Sequence, residues 1–182
     1  MSDIADRYSR LADQFAATID GVPADAWSSP SPCEDWTALD VVAHVVETQG
    51  MFEKLVGRDI GPLPSVPEDP AGAFDGARRV VEAHLRDPET AEAEYDGYFG
   101  RSTFARSVDQ FLSFDLVVHR WDLARATGQD ERMPPDEVSR ALVQASEFGE
   151  AMRGPNAFGP ELPAPEGADE QTRLLAFLGR RA

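Results

Sequence analysis

Phe111-Leu-Ser-Phe-Asp-Leu-Val-Val-His-Arg-Trp-Asp-Leu123 is the stretch whose reading decides the fold. Apolar residues recur at Val108, Phe111, Leu112, Leu116 and Leu123, the spacing of a helix with one buried stripe. At roughly 100° per residue, Asp115 and His119 fall within about 20° of the middle of that stripe. A carboxylate and an imidazole one turn apart therefore point together toward the core. An unpaired carboxylate is costly to bury, so a partner is required there. One reading makes Asp115 and His119 a hydrogen-bonded pair and nothing more. The other makes them two teeth of a metal chelate, as helix bundles provide.

Working outward, this helix is expected from near Thr103 to Gly128. A first helix is expected over 3–20, with Ile4, Tyr8, Leu11, Phe15 and Ile19 inward and Gly21 and Pro23 ending it. Trp27 to Pro32 reads as a loop. Thr37 is a good N-cap, Asp40 shortens the capping box, and Trp36 with Val41 is placed for a hydrophobic staple. The helix that follows carries Val41, Val45, Thr48, Phe52 and Leu55 as its buried stripe, with His44 inside it. Gly57 closes it, and a proline-rich connection leads to Asp69-Pro70. That pair opens a third helix, lined by Phe74, Ala77, Val81, His84 and Leu85 and stopped at Asp87-Pro88.

From there to Ser102 the chain reads as acidic and aromatic loop, with no strand pattern anywhere. A fifth helix begins at Pro134-Pro135-Asp136-Glu137. Its core positions are Val138, Leu142, Ala145, Phe148 and Met152, and Gly154-Pro155 ends it. A short last helix starts at Asp169, buries Leu174, Leu175, Phe177 and Leu178, and stops at Gly179. The class is all-α, a four-helix bundle with additional C-terminal helices.

The 182 residues suffice for one core, so a single domain over 1–182 is expected. A formal charge of −16 argues against nucleic acid and against anionic membrane surfaces. No apolar run reaches spanning length, and the N-terminus lacks a basic-then-apolar signal, so the cytoplasm is the expected location. Cys33 is the only cysteine, which excludes an internal disulfide.

The chemistry rests on His44, Asp115 and His119, two nitrogens and a carboxylate aimed into one core. That set suits Zn, Fe, Ni or Mn and leaves coordination positions open. Asp122 returns to the inner face, either as an orienter of a ligand or as a partner for an arginine. His84 has no evident partner and reads as packing, and Cys33 as a small buried hydrophobe near the mouth of the site.

Pro30-Ser-Pro-Cys-Glu-Asp-Trp-Thr37, Asp40-Val-Val-Ala-His44, the Asp115 to Leu123 segment and Leu174-Leu-Ala-Phe-Leu-Gly-Arg180 appear in an order that resembles the DinB-like metal-binding superfamily. The chain is similar in particular to the actinobacterial branch around the N-terminal domain of mycothiol-dependent maleylpyruvate isomerase. The resemblance implies a DinB-like four-helix bundle holding a divalent metal, Zn before Ni, Fe or Mn, on His44, Asp115 and His119. It implies mycothiol as co-substrate and a small electrophile as substrate, with the protein a monomer or homodimer. The isomerase carries Glu where this chain has Asp115, and no length is left for the isomerase's separate C-terminal domain. Both departures set the chain apart from the isomerase itself, while the resemblance to a superfamily that includes thiol-dependent transferases implies addition or transfer of a thiol. A non-catalytic metal-binding or ligand-sensing module and a hydrolase using metal-bound water are the alternatives.

Overall fold

The computed structural model describes residues 2–149, 153 and 158–181. They form two compact units, 1–130 and 131–182, each described by itself.

In the first unit, α1 (Ser2–Asp20), α2 (Ala38–Leu55), α3 (Pro70–Arg86) and α6 (Ser113–Thr127) make the bundle. Each of α1 and α2 packs against both α3 and α6, so the four close a ring. Tyr8, Leu11, Phe15, Val41, Val45, Phe74, Val81, Leu116, Trp121 and Leu123 fill its interior. These are largely the positions that helical periodicity selects, and the all-α reading holds. Ile4 is only half-buried, and Leu55, expected in the α2 stripe, is 39% exposed. Leu55 lies in the last turn, where α2 is ending and covers less of its own face.

Caps form where the sequence places them. Thr37 Oγ1 accepts from the Asp40 N–H at 3.3 Å, and Asp40 Oδ2 accepts from the Thr37 N–H at 2.8 Å. Such a cap contributes about 1 kcal/mol and fixes where α2 begins, hence which way His44 faces. Asp69 caps α3 through the Gly72 N–H at 2.8 Å, with Pro70 following. Tyr8 O–H donates to Gln49 Oε1 at 2.6 Å, tying α1 to α2 through the core.

Two elements differ from the sequence reading. After the short α4 (Pro88–Ala91), β1 (Glu94–Gly97) and β2 (Gly100–Thr103) pair antiparallel, Glu94 opposite Thr103 and Gly97 opposite Gly100. Each strand is only four residues long and mostly polar, so it carries no readable alternation. Gly100, at φ 95°, takes the left-handed backbone its turn needs. The second difference is that the long fourth helix is not uniform. It runs as α5 (Phe104–Ser107), a π-helical segment (Val108–Leu112) and then α6. The Ser113 N–H bonds to the Val108 carbonyl, five residues back. Such insertions are common beside functional sites, and this one ends three residues before Asp115. Arg7 of α1 braces it, donating at 2.8 Å to the Asp109 carbonyl and at 2.7 Å to its carboxylate. Gly128, at φ 70°, then caps α6.

In the second unit, α7 (Pro135–Phe148) packs against α8 (Glu170–Phe177). Val138, Ala141 and Ala145 are buried, and Leu142 and Phe148 are half-buried. Met152 and the Gly154-Pro155 stop lie outside the described residues. Leu174, Leu175 and Leu178 are buried, while Phe177 is half-buried with the Arg153 guanidinium 4.8 Å from its ring. Asp169 caps α8 as expected. Among the described residues, no helix is long and apolar enough to cross a membrane.

Candidate metal centre

The α2 cap and the α6 register bring His44, Asp115 and His119 together. One donor atom from each lies within 4.8 Å of the others. His44 Nε2 stands 3.7 Å from Asp115 Oδ2, and the rings of His44 and His119 meet nearly edge-on with centroids 4.8 Å apart. Three residues separated by as many as 75 positions thus converge on one point between two neighbouring helices. Two nitrogens and a carboxylate at that separation are a donor set that suits a divalent ion.

Burial differs across the three. His119 is almost fully buried, but the side chains of His44 and Asp115 keep 33% and 27% of their exposure. Asp115 is therefore not a core carboxylate, which revises the expectation that it is held inside with His119. It stands at the edge, its Oδ2 facing His44 Nε2. Thr48, one turn beyond His44, donates its hydroxyl to the His44 carbonyl at 2.8 Å.

The carboxylate that holds His119 is Asp122. Its Oδ2 lies 2.9 Å from His119 Nδ1, and no part of the Asp122 side chain is exposed. The same oxygen accepts from the Cys33 thiol at 3.4 Å. Contact with the histidine, one of the roles the sequence leaves open for Asp122, is present in the geometry. Cys33, half-buried, is a hydrogen-bonding neighbour of the site rather than a plain apolar filler. Cys33, His119 and Asp122 also present donor atoms within 4.8 Å of one another.

A turn that the sequence reads only as loop sets Cys33 in place. Pro30 and Thr37 form an isolated antiparallel bridge, and the Ser31 N–H bonds to the Trp36 carbonyl at 2.8 Å. Asp35 sits at φ 63°, a left-handed conformation that Asp tolerates better than most residues. On one side of it Cys33 reaches Asp122. On the other, Trp36 lies across both histidines, its centroid 4.8 Å from His44 and 6.0 Å from His119. Trp36 thus serves as a wall of the site. Elsewhere on these elements, Phe111 of the π segment stacks on Phe99 of the hairpin at 5.6 Å and approaches Phe52 at 6.2 Å.

His84 has a partner that the sequence did not reveal. Its Nδ1 lies 2.6 Å from Oε2 of Glu53, whose side chain is wholly buried. Neither residue belongs to the donor cluster.

The profile of the family described as mycothiol maleylpyruvate isomerase N-terminal domain matches residues 8–124. That span holds every residue of the cluster. Two uncharacterized proteins of Mycobacterium tuberculosis, from two strains, are each 31% identical to the chain over 175 residues. The match covers 95% of this chain and 95% of each relative. No solved structure matches the chain.

Proposed function

The chain belongs to the mycothiol maleylpyruvate isomerase N-terminal domain family, and from that premise we propose a divalent-metal-dependent enzyme that adds or transfers a low-molecular-weight thiol to a small electrophile. Residues 1–182 act in this reading as one DinB-like domain working in the cytoplasm, as monomer or homodimer, without nucleic acid or membrane as partner. The carrying observation is the convergence of His44, Asp115 and His119 donor atoms within 4.8 Å, with Asp122 Oδ2 at 2.9 Å from His119 Nδ1.

His44 Nε2, Asp115 and the remaining nitrogen of His119 would hold the ion, Zn before Ni, Fe or Mn. When bound, the ion would supply a Lewis acid that favours the deprotonated form of a coordinating thiol. The chain's own residues do the rest. Trp36 covers the two rings and excludes water from that side. Asp115 and His44, part-exposed, leave the approach open to a small molecule. The Cys33 thiol is engaged with Asp122, which supports a thiol that comes from outside the chain. Mycothiol, with a sugar and amide head free of carboxylates, meets a chain of charge −16 without added repulsion.

Protein purified without chelator should carry about one divalent ion per chain, as the three-donor site requires. Elemental analysis checks this, and a protein that neither holds nor reloads Zn, Ni, Mn or Fe would remove the reading. With Co in the site, added mycothiol should introduce a sulfur-to-metal charge-transfer band. An unchanged spectrum together with thiol-independent turnover would install the hydrolase instead. No turnover with any electrophile would favour a binding module.

A further inference from the structure

We propose that Asp122 is a positioning residue that fixes the ring and tautomer of His119, and that Cys33 locks Asp122 in that role. The proposal rests on His119 being an ion ligand and deepens that reading. An ionised carboxylate can only accept, so with Asp122 in that form the contact at 2.9 Å puts the imidazole proton on Nδ1. In the neutral ring the lone pair then resides on Nε2, the atom left for His44 and Asp115 to share an ion with. His119 and Asp122 lie three residues apart on α6, so ring and carboxylate move as one rigid piece.

Cys33 adds a restraint from another part of the chain. Its thiol donates to the same Oδ2, 89 positions away in sequence. A carboxylate oxygen offers two lone pairs, and here the imidazole and the thiol engage both. Oδ2 is thereby held toward His119 and kept from acting as a ligand itself. The turn at Asp35 aims Cys33 inward and Trp36 across the rings, so one short segment sets both contacts. Cys33, Asp122 and His119 could instead form a second cradle for a cation. His119 Nδ1 cannot both carry the proton for Asp122 and ligate, so the two assignments exclude each other.

The test combines nitrogen NMR of the apo protein with Zn affinity by chelator competition for the wild type, Asp122→Ala, Asp122→Asn and Cys33→Ser. In the wild type His119 should be the Nδ1–H tautomer. Asp122→Ala should shift it toward Nε2–H and weaken Zn binding roughly 10–100-fold, the usual effect of losing an outer carboxylate. Asp122→Asn, which keeps an oxygen acceptor, should recover most of both. Cys33→Ser, which keeps a donor, should stay near wild type. Co-loaded wild type without added thiol should show no sulfur charge-transfer band. An Nε2–H ring in the wild type, Zn affinity unmoved by Asp122→Ala, or a sulfur band that Cys33→Ser abolishes each overturns the proposal while leaving the ion site standing. Wild type that binds no ion overturns this proposal and the reading beneath it together. The tautomer measurement needs no variant, so a misfolded Asp122→Ala leaves the proposal testable.

Discussion

Two histidines of the bundle are each tied through Nδ1 to a carboxylate that no solvent reaches. His119 meets Asp122 at 2.9 Å within α6, and His84 of α3 meets Glu53 of α2 at 2.6 Å. The pairs look alike until the far side of each ring is considered. Past His119 stand His44 and Asp115, with donor atoms within 4.8 Å. Past His84 stands the ring of Phe104, edge-on at 6.4 Å. Among the described residues His84 joins no cluster of three donors. A buried carboxylate–histidine pair is thus not a site in itself; what else surrounds the ring decides. In one region the pair adjoins two further donor residues, and in the other it straps two helices together.

The comparison breaks most sharply by removing histidines one at a time. His44→Ala and His119→Ala should each weaken ion affinity by more than the roughly 100-fold that marks the upper end for outer partners. His84→Ala should leave affinity unchanged. Ion loss on His84→Ala with retention on His44→Ala would exchange the roles of the two regions. Chelator competition reads both.

Stability should respond in the opposite sense. His84→Ala leaves Glu53 buried without the partner of its Oε2, and its Oε1 already has none. An unsatisfied buried polar group costs about 1–3 kcal/mol, which denaturant unfolding of the apo protein would register. An unchanged midpoint would mean that the strap carries no load.

The smallest effect sharpens the comparison through pH. Burial holds the Glu53 carboxyl above its ordinary value of 4.5, against the opposing hydrogen bond and charge of His84 and the charge of Arg58. The native state therefore binds this proton more tightly than the unfolded chain does. The resulting stabilisation is fully present below about 4.5 and is lost as pH rises through the raised native value. Glu53→Gln removes that titration, so the wild type should lose stability relative to the variant across the window. A wild type that instead gains on the variant would show that His84 outweighs burial there.

Much of this was legible because it is local. Helical spacing selected the inward positions of α1, α2, α3 and α6, and the cap at Thr37 is a three-residue pattern that formed as written. The donors His44, Asp115 and His119 could be named because each lies near the apolar face of its own helix. The hairpin escaped because four-residue polar strands have no pattern, and the π segment because Val108, Leu112 and Leu116 follow one another at the four-residue spacing of an ordinary helix.

Which carboxylate serves which histidine was not a local question. Asp115 and Asp122 both lie near the inner face of α6, and spacing alone made Asp115 the obvious companion of His119. Packing placed Asp115 at the edge beside His44 and gave His119 to Asp122. Cys33 and Asp122 are 89 positions apart, and Glu53 and His84 are 31. By itself the sequence determined the bundle helices and most of their inward positions and singled out His44, Asp115 and His119, because periodicity and capping act within a few residues. Only the tertiary structure decided the pairings of Asp122 and Glu53, because a hydrogen bond depends on tenths of an ångström that are fixed when whole helices and the turn at Asp35 pack.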